Sequence, residues 1–575
     1  MNLARLDPAW RERVQARLAA LDSSGWMQRL WARDPGLWSD DPAHQAVARN
    51  RLGWLDVAAA MEPRAAEFEA FAAEVAGEGF THTVLLGMGG SSLAPEVLRQ
   101  TFGVAPGRLD LAVLDSTSPA SVRGVLDSHD PARTLFVVSS KSGGTLEVTS
   151  FEAACFEWVR AARGDAAGRS FVAITDPGTS LGALAASRGY RRVFENPPDI
   201  GGRYSALSCF GLVPAALIGA DVRGLLAHAA AERRRNQPGV APTDQPGLVL
   251  GALLGETALR GRDKLTLVLG REIAALGDWV EQLVAESTGK DGRGIVPVVG
   301  ETLASPEVYG DDRVFVAVSV APLPGSTQRA LDVLRHAGHP VLEWRASTVA
   351  ALGEEFLRWE IATAVASSIL GVDSFDEPNV TEAKQATQAV LERALADGRF
   401  PERAAVATDG AMRAEAPAAV AAALAPRADA DPAAWAAALP ALAAPGDYFA
   451  VLAYLRPTPS RLQRLDRIRA AARAQARVAT TAGIGPRFLH STGQLHKGGP
   501  ATGVFLQLTA DEGPDVAIPG REFGFATLVA AQAWGDFEVL ERRGRRVLRL
   551  HLGADPDAAL DRIAEAMIAA GAERV

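Results

Sequence analysis

The chain has 575 residues, 48% of them hydrophobic and 22% charged, so it is long enough for two or more domains and is not intrinsically disordered. Its formal net charge of -9 argues against a nucleic-acid-binding protein, which needs a basic surface. There is no apolar run of about 18 residues and no signal-peptide core at the start, so we expect a cytoplasmic protein without a membrane span. The two cysteines, Cys155 and Cys209, lie in apolar stretches and predict buried thiols rather than a disulfide framework.

The first four hundred residues predict three structural units. Residues 1–78 have helical periodicity and are expected to pack as helices onto the next unit of the chain. Within 79–245, and again within 246–400, short apolar runs alternate with helical patterns. Strands that are apolar throughout and separated by helices predict a parallel sheet covered on both faces. We therefore expect two doubly wound α/β domains, with ligands beyond the carboxyl ends of their strands.

The remainder of the chain has a different composition. Residues 401–485 are rich in alanine and proline, and we expect short helices that form an insertion. Residues 486–575 predict a small C-terminal α/β segment.

Two loops of the first predicted domain have the composition of a phosphate site. Gly87–Ser92 and Ser139–Thr145 follow predicted strands and are rich in glycine, serine and threonine. Either loop alone would be an ordinary turn, but two in adjacent units supply the backbone N–H groups and hydroxyls that bind a phosphate monoester. Neither loop has a dinucleotide fingerprint and the chain has no Walker motif, so no cofactor is expected. The candidate residues are Gly90, Ser91, Ser140, Lys141, Ser142 and Thr145.

The stretch Leu276–Gly294 predicts an amphipathic helix that ends at Gly289, where glycine can adopt the left-handed conformation. Gln282 and Glu286 are four residues apart and therefore project from the same face. A glutamate in the last turn of a helix is unfavourable for the helix dipole. Although an arbitrary glutamate is usually a surface residue, this position favours a chemical role for Glu286.

Three other segments contain candidate cations. Gly201 and Gly202 precede Arg203, whose permanent charge could stabilise an oxyanion. Of 59 basic residues, only Lys141, Lys264, Lys290, Lys384 and Lys497 are lysines. Lysine is a compact point charge that arginine does not replace, so a lysine kept in such a chain is a candidate for chemistry. A late segment contains His490 and His496, but without the spacing of a metal motif, so no metal is expected.

The segments GGRYS (201–205), ESTGK (286–290) and FDEPNVTEAK (375–384) resemble signature segments of glucose-6-phosphate isomerases. The similarity is greatest to the isomerase half of bifunctional transaldolase/phosphoglucose isomerase proteins, and it includes the late segment LHSTGQLHKGG. It implies two sugar-isomerase (SIS-type) domains and an aldose–ketose isomerase without a cofactor. It is also compatible with a homodimer.

The resemblance also implies residue roles. Glu286 would be the base that moves a proton between C1 and C2, while Arg203 would stabilise the enediolate with Gln282 beside it. Lys384 and His490 would assist opening of the sugar ring, and the two glycine-serine loops would bind the phosphate. The sequence departs from the family pattern in two ways. The histidine segment follows the lysine segment, and Glu377 and Asn379 replace the common Gln and Gly.

Two alternatives remain open at this point. An isomerase of this kind could also accept mannose 6-phosphate. A protein of another class, a sugar-phosphate-binding regulator, could use the same domains without catalysis. Such a regulator would have no need for Glu286, Arg203 and Lys384 together.

Overall fold

The computed structural model describes residues 3–428 and 430–572, and this part of the chain contains three β-sheets surrounded by helices. Residues 3–77 are helical, with buried tryptophan, phenylalanine and leucine side chains that belong to the same apolar core as the first two sheets. The helices of this segment are α1 (Pro8–Ser23), α2 (Trp26–Trp31), α3 (Pro42–Arg49), α4 (Val57–Met61) and α5 (Ala65–Gly77).

The first sheet has five parallel strands in the order β2-β1-β3-β4-β5. Its central strands are buried on both faces, as their continuous apolar runs predict. The two glycine-serine loops follow β1 and β3, so they lie side by side at the carboxyl edge of the sheet. The strands are β1 (His82–Leu86), β2 (Asp110–Leu114), β3 (Thr134–Ser139), β4 (Phe171–Thr175) and β5 (Arg192–Glu195), and the helices are α6 (Leu93–Phe102), α7 (Pro119–Ser128), α8 (Leu146–Arg163), α9 (Ser180–Ser187) and α10 (Cys209–Ile218).

The second sheet has four parallel strands in the order β7-β6-β8-β9. The mixed α/β architecture with doubly wound parallel sheets is therefore confirmed for both predicted units. The strands are β6 (Lys264–Leu269), β7 (Val296–Val298), β8 (Arg313–Ser319) and β9 (Val341–Arg345), and the helices are α11 (Val222–Arg235), α12 (Pro246–Ala258), α13 (Leu276–Thr288), α14 (Gly325–His336), α15 (Leu352–Leu370) and α16 (Pro378–Asp397).

The third sheet corrects the expected organisation of the last third of the chain. Four of its six strands lie in residues 401–485, where we expected a helical insertion, and the boundary at 485/486 falls inside the sheet. The apolar run Tyr448–Tyr454, which forms an interior strand of this sheet, is fully buried, and such a run does not by itself distinguish a strand from a buried helix. The strands are β10 (Ala407–Asp409), β11 (Met412–Glu415), β12 (Tyr448–Tyr454), β13 (Ala479–Ile484), β14 (Gly503–Thr509) and β15 (Arg546–His551), and the helices are α17 (Ala418–Leu424), α18 (Pro432–Ala438), α19 (Pro459–Ala476), α20 (Gly493–Gly498), α21 (Phe525–Arg542) and α22 (Pro556–Ala572).

The third sheet is ordered β10-β11-β15-β14-β12-β13, with parallel pairing from β15 to β13 and antiparallel pairing at β10 and β11. Helices α16 and α21 pack on each other, and α21 covers one face of the sheet while α19 and α22 cover the other. Among the described residues, no helix combines the length and apolar character that crossing a membrane requires. Cys155 and Cys209 are buried and free of a disulfide, as predicted.

Helix α13 spans Leu276–Thr288, as predicted, but the predicted left-handed glycine at its end is wrong. Gly289 has φ -81° and ψ 68°, a conformation open to any residue. The glycine is instead required by a close approach, because a Cβ atom there would lie 2.4 Å from the Leu495 Cα atom. The end of α13 is thus pressed against α20, in the segment that follows His490.

Candidate active site

Glu286 and Arg203 form a buried ion pair. The Arg203 Nη1 atom lies 2.9 Å from the Glu286 Oε1 atom, and both side chains are at least nine-tenths buried. Glu286 projects from the last turn of α13, and Arg203 from the short helical turn Gly202–Tyr204 that follows the first sheet. The pair therefore joins the first sheet unit to the second.

Arg203 is fixed by several further contacts. Its Nε atom donates to the Ser287 hydroxyl at 2.9 Å, and its Nη2 atom donates to the backbone carbonyls of Ser374 and Asp376 at 2.7 and 3.0 Å. Its Nη1 atom also contacts the Glu377 carboxylate at 3.1 Å. These contacts orient a guanidinium group that stays protonated.

The surroundings of Glu286 raise the pKa of its carboxyl group. Burial is the main cause, and the neighbouring negative charge of Glu377 adds to it, whereas Arg203 opposes the shift. The Gln282 Nε2 atom donates to the Glu286 Oε2 atom at 3.1 Å, and it also donates to the His490 backbone carbonyl at 2.8 Å. Gln282 therefore links the buried carboxylate to the segment that contains His490.

A cavity of about 480 Å³ lies beside this cluster. It is bounded by the loop after β3, by the start of α8, by α16 and by the segment after β13. Glu286, Arg203 and Gln282 are not among its lining residues, but the His490 side chain lines it while the His490 carbonyl contacts Gln282. The polar residues of its lining include Ser142, Thr145, Glu147, Lys384, His490 and Gln532.

His490 is held by a carboxylate that the sequence analysis did not identify. The His490 Nε2 atom lies 2.9 Å from the Glu147 Oε1 atom, and the Gln532 Nε2 atom donates to the same oxygen at 2.8 Å. Burial alone would raise the pKa of Glu147, but the His490 charge and hydrogen bond outweigh it, so the pKa is lowered. Glu147 thus stays ionised, and a neutral His490 would donate from Nε2 and keep Nδ1 as an acceptor.

Lys384 is exposed on α16 and lines the same cavity. The other four lysines each pair with an aspartate: Lys141 with Asp176, Lys264 with Asp263, Lys290 with Asp376 and Lys497 with Asp536. Within the described residues, Lys384 is the lysine without such a partner. Its ammonium group is therefore available to a ligand in the cavity.

The loop after β3 presents part of the predicted phosphate site to the cavity. Ser142 and Thr145 line it, while the buried Ser140 hydroxyl lies 3.2 Å from the Thr145 hydroxyl and accepts from the Gly143 N–H. Lys141 is not brought to the cavity, because its ammonium group pairs with Asp176 and donates to the Pro198 carbonyl at 2.9 Å. The flexible lysine stem reaches the half-buried Asp176 carboxylate, a contact that the sequence does not reveal.

The loop after β1 packs closely against the segments that contain Arg203 and His490. A Cβ atom at Gly90 would lie 2.1 Å from the Gly202 carbonyl oxygen, so the two loops pack backbone against backbone. Gly89 has φ +55°, and a Cβ atom there would lie 2.8 Å from the His490 carbonyl oxygen. Ser91 is buried beside them and accepts from the Ser139 hydroxyl through its carbonyl. These residues bring Arg203 and His490 close together.

Several partners in the site were missed because their signals are weak in a sequence. Glu147 is a buried glutamate in the first turn of α8. In the sequence, the feature that could have identified it is its position directly after the predicted phosphate-binding loop. Gln532 interrupts the apolar helix α21, Ser287 lies in the ESTGK segment but was given no role there, and Ser374 has no distinguishing pattern.

One group among the described residues has metal-ligand chemistry. The ligand atoms of His44, Asp373 and Asp376 lie within 4.8 Å of one another. Lys290 already pairs with Asp376 at 2.6 Å, which opposes a cation at that point. His490 and His496 are not in this group. The expectation that catalysis needs no metal stays a prediction.

Comparison with known proteins gives the family. A sequence model described as phosphoglucose isomerase matches residues 60–308, which include Arg203, Gln282 and Glu286. The chain is 32% identical to a glucose-6-phosphate isomerase of Rubrobacter xylanophilus over 379 residues, which is 56% of this chain and 85% of that protein. It is 34% identical to a glucose-6-phosphate isomerase of Thermus thermophilus over 207 residues, which is 36% of this chain and about half, 49%, of that protein.

Among solved structures, the hypothetical protein TT0462 from Thermus thermophilus matches with a TM-score of 0.56 and 24% identity, covering 67% of this chain and 98% of that chain. That likeness supports the fold. The extent of the similarity to the Rubrobacter isomerase decides the family: this chain belongs to the phosphoglucose isomerase family.

Proposed function

We propose that this protein is a glucose-6-phosphate isomerase that interconverts glucose 6-phosphate and fructose 6-phosphate by proton transfer through an enediolate. The observation that supports this most directly is the buried ion pair between Glu286 and Arg203, at 2.9 Å, beside a cavity lined by hydroxyls, a histidine and an unpaired lysine. An aldose–ketose shift needs a carboxylate base and a cation at the developing oxyanion, and it needs no redox group.

In this proposal Glu286 moves the proton. Its carboxylate removes the proton from C2 of the open-chain aldose and returns it to C1, while the hydroxyl proton passes from O2 to O1, which gives the ketose. The pKa of Glu286 is raised, first by burial, so it lies closer to neutral pH than that of an ordinary glutamate. A base whose pKa is nearer the working pH transfers protons more effectively.

In the proposal, Arg203 stabilises the negative charge of the enediolate. The enediolate intermediate has negative charge on the oxygens of C1 and C2, next to the carbon from which Glu286 takes the proton. The guanidinium group is held in place by Ser287 and by the carbonyls of Ser374 and Asp376, so little reorganisation is needed when that charge develops. Gln282 positions the Glu286 carboxylate through its hydrogen bond.

In the proposal, Lys384 and His490 assist the opening of the sugar ring. Opening of the sugar ring requires a proton to leave the C1 hydroxyl and another to reach the ring oxygen. His490 lies in the cavity with its Nε2 atom committed to Glu147, so Nδ1 is the atom that can exchange a proton. The unpaired Lys384 ammonium group can stabilise negative charge on a ring or hydroxyl oxygen.

The phosphate is assigned to the loop after β3. Ser142 and Thr145 reach the cavity, with Ser140 behind them, and Gly90 and Ser91 shape the neighbouring loop. Lys141 is left out of the proposed site because Asp176 holds its charge.

A coupled assay tests the proposal. Fructose 6-phosphate is supplied, and formation of glucose 6-phosphate is followed by a dehydrogenase that is specific for it. Turnover that Glu286→Gln abolishes supports an isomerase. A well-folded protein that binds sugar phosphates without turnover would instead be a non-catalytic regulator.

The same assay with mannose 6-phosphate decides whether that sugar is also a substrate, which we propose only as an extension. A homodimer and a cytoplasmic location likewise stay predictions.

A further inference from the structure

A second cavity, of about 430 Å³, lies at the carboxyl edge of the third sheet. The last residues of β12 and β14, Tyr454 and Thr509, both line it. The chain runs from β12 to β13 on one side and then crosses back to β14 on the other, so the strand order reverses between β12 and β14. In open α/β sheets, ligands bind in the crevice at this reversal.

One wall of this cavity is formed by polar side chains of β11 and β15. The two strands are antiparallel neighbours, with Arg413 opposite His551 and Glu415 opposite Arg549. Because the side-chain period of a strand is two, all four side chains lie on one face. All four line the cavity together with Trp534, which comes from α21.

Arg549 is buried without full compensation. Its Nη1 atom lies 3.2 Å from the Glu415 Oε2 atom, and its guanidinium group lies 3.8 Å from the Trp534 ring centroid. The residue is only 7% exposed, and its buried Nε atom has no hydrogen-bond partner in the described part of the chain. Burial lowers the pKa of Arg549 to about 10, and the charge of Arg413 adds to the shift. An unpaired buried donor costs free energy that a ligand oxygen would recover.

Most of the other charged groups around the cavity have a partner of opposite charge. Arg403 pairs with Glu541, and His551 Nε2 lies 3.3 Å from the Asp511 carboxylate. Arg399 pairs with Glu402 at 3.1 Å, and Glu512 pairs with Arg461. Within the described residues Arg413 has no carboxylate partner, whereas Arg549 pairs with Glu415. The two strands of the wall thus present two guanidinium groups and one carboxylate to the cavity.

We propose that this second cavity binds a small metabolite carrying an oxyanion, either a phosphate monoester or a carboxylate, through the guanidinium groups of Arg549 and Arg413. A planar guanidinium fork matches the oxygens of both groups. The Thr509 hydroxyl is within reach of the same ligand, because it lies at the cavity wall 3.2 Å from His551 Nδ1. This site is separate from the proposed catalytic cavity: α21 presents Gln532 to the first and Trp534 to the second.

Calorimetric titration of the full chain tests the site, with inorganic phosphate and malonate as separate probes. We expect at least one probe to bind, and its affinity to fall at least about tenfold in Arg413→Ala and in Arg549→Lys. Arg549→Lys keeps the charge but removes the fork and the Nε donor. Arg413 is exposed, so its replacement leaves the fold intact should the buried variant be damaged. Isomerase kinetics should stay within about twofold in both variants.

Two controls locate the bound probe. Arg427→Ala removes another exposed arginine of the third sheet unit, and Ser142→Ala alters the first cavity. Neither should remove the binding that Arg413→Ala removes. Phosphate binding alone would identify a phosphate ester as the natural ligand, and malonate binding alone a carboxylate.

The proposal is overturned if neither probe binds at about 10 mM, a concentration at which even weak specific ligands bind. It is equally overturned if binding is unchanged in Arg413→Ala and Arg549→Lys. Neither outcome bears on Glu286 or on isomerase activity.

Discussion

The cluster around Glu286 and the cavity around Lys384 lie next to each other but differ in the burial and pairing of their charged groups. Glu286 is buried and accepts hydrogen bonds from the buried Arg203 and Gln282, whereas Lys384 is exposed and lacks a carboxylate partner within the described residues. Removing one partner from a buried ion pair is costly, so such a cluster is held in a single geometry. An exposed, unpaired cation gains a partner only when a ligand binds. The first region suits proton transfer and the second suits substrate recognition and ring opening.

The largest effect should come from Glu286→Gln. We expect kcat to fall about a thousandfold or more with little change in substrate affinity, because a proton-transfer group is lost while the amide keeps the shape. Steady-state kinetics and a melting curve measure both. Glu281→Gln is the matched control on the same helix, since Glu281 lies near Asp278 and Arg487 rather than Arg203. Activity within tenfold of the wild type would exclude Glu286 as the base.

A smaller effect is expected from Lys384→Arg. The charge is kept, but the head group becomes larger and planar, so we expect kcat/KM to fall at least about tenfold, or about 1.4 kcal/mol. The matched control is Arg393→Lys, the reverse change on the same helix at an exposed pair with Glu538. That control should change kcat/KM less than about twofold, because exposed ion pairs contribute little. Unchanged kinetics in a folded Lys384→Arg protein would remove Lys384 from the site.

The pH dependence tests the electrostatics of the buried cluster. The pKa of Glu286 is raised by burial and then by Glu377, so the base becomes protonated, and kcat/KM falls, at a higher pH than for an ordinary glutamate. Glu377→Gln removes the neighbouring negative charge and also restores the residue that is common in the family. The acidic limb of the kcat/KM profile should therefore move to lower pH while the neutral plateau changes little. A limb that moves upward or stays in place would contradict this assignment.

The sequence predicted the elements whose signal is local. The apolar strands, the helix Leu276–Thr288 and the Glu286–Arg203 motifs were all visible because each depends on a short pattern. The third sheet was missed because the alanine-rich composition around it favours helices, and because its strands β11 and β15, which pair with each other, are far apart along the chain, with Arg413 opposite His551. The partners of His490 were missed for the same reason, since Glu147 lies 343 residues away along the chain.

Lys141 is a scarce lysine that does not line the proposed site. Its replacement should have the smallest effect on the kinetics. Its position in the loop Ser139–Thr145 and its scarcity made it a phosphate-binding candidate, but Asp176 and the Pro198 carbonyl hold its ammonium group. Replacing Lys141 alone would leave Asp176 without its cation, and among the residues that the structure describes the Oδ1 atom of Asp176 already has no hydrogen-bond partner. The double variant Lys141→Met/Asp176→Asn removes both charges together, which limits that desolvation cost.

For this double variant we expect the KM for fructose 6-phosphate to change less than about twofold, because neither group lines the cavity. Ser142→Ala with Thr145→Ala is the comparison, and the loss of two cavity hydroxyls should raise KM about tenfold, since a hydrogen bond to a charged group contributes about 1.5–3 kcal/mol. If KM rises tenfold in the lysine variant as well, Lys141 must leave Asp176 when the phosphate binds. The lysine would then behave like Lys384, as a cation that meets its partner only in the complex.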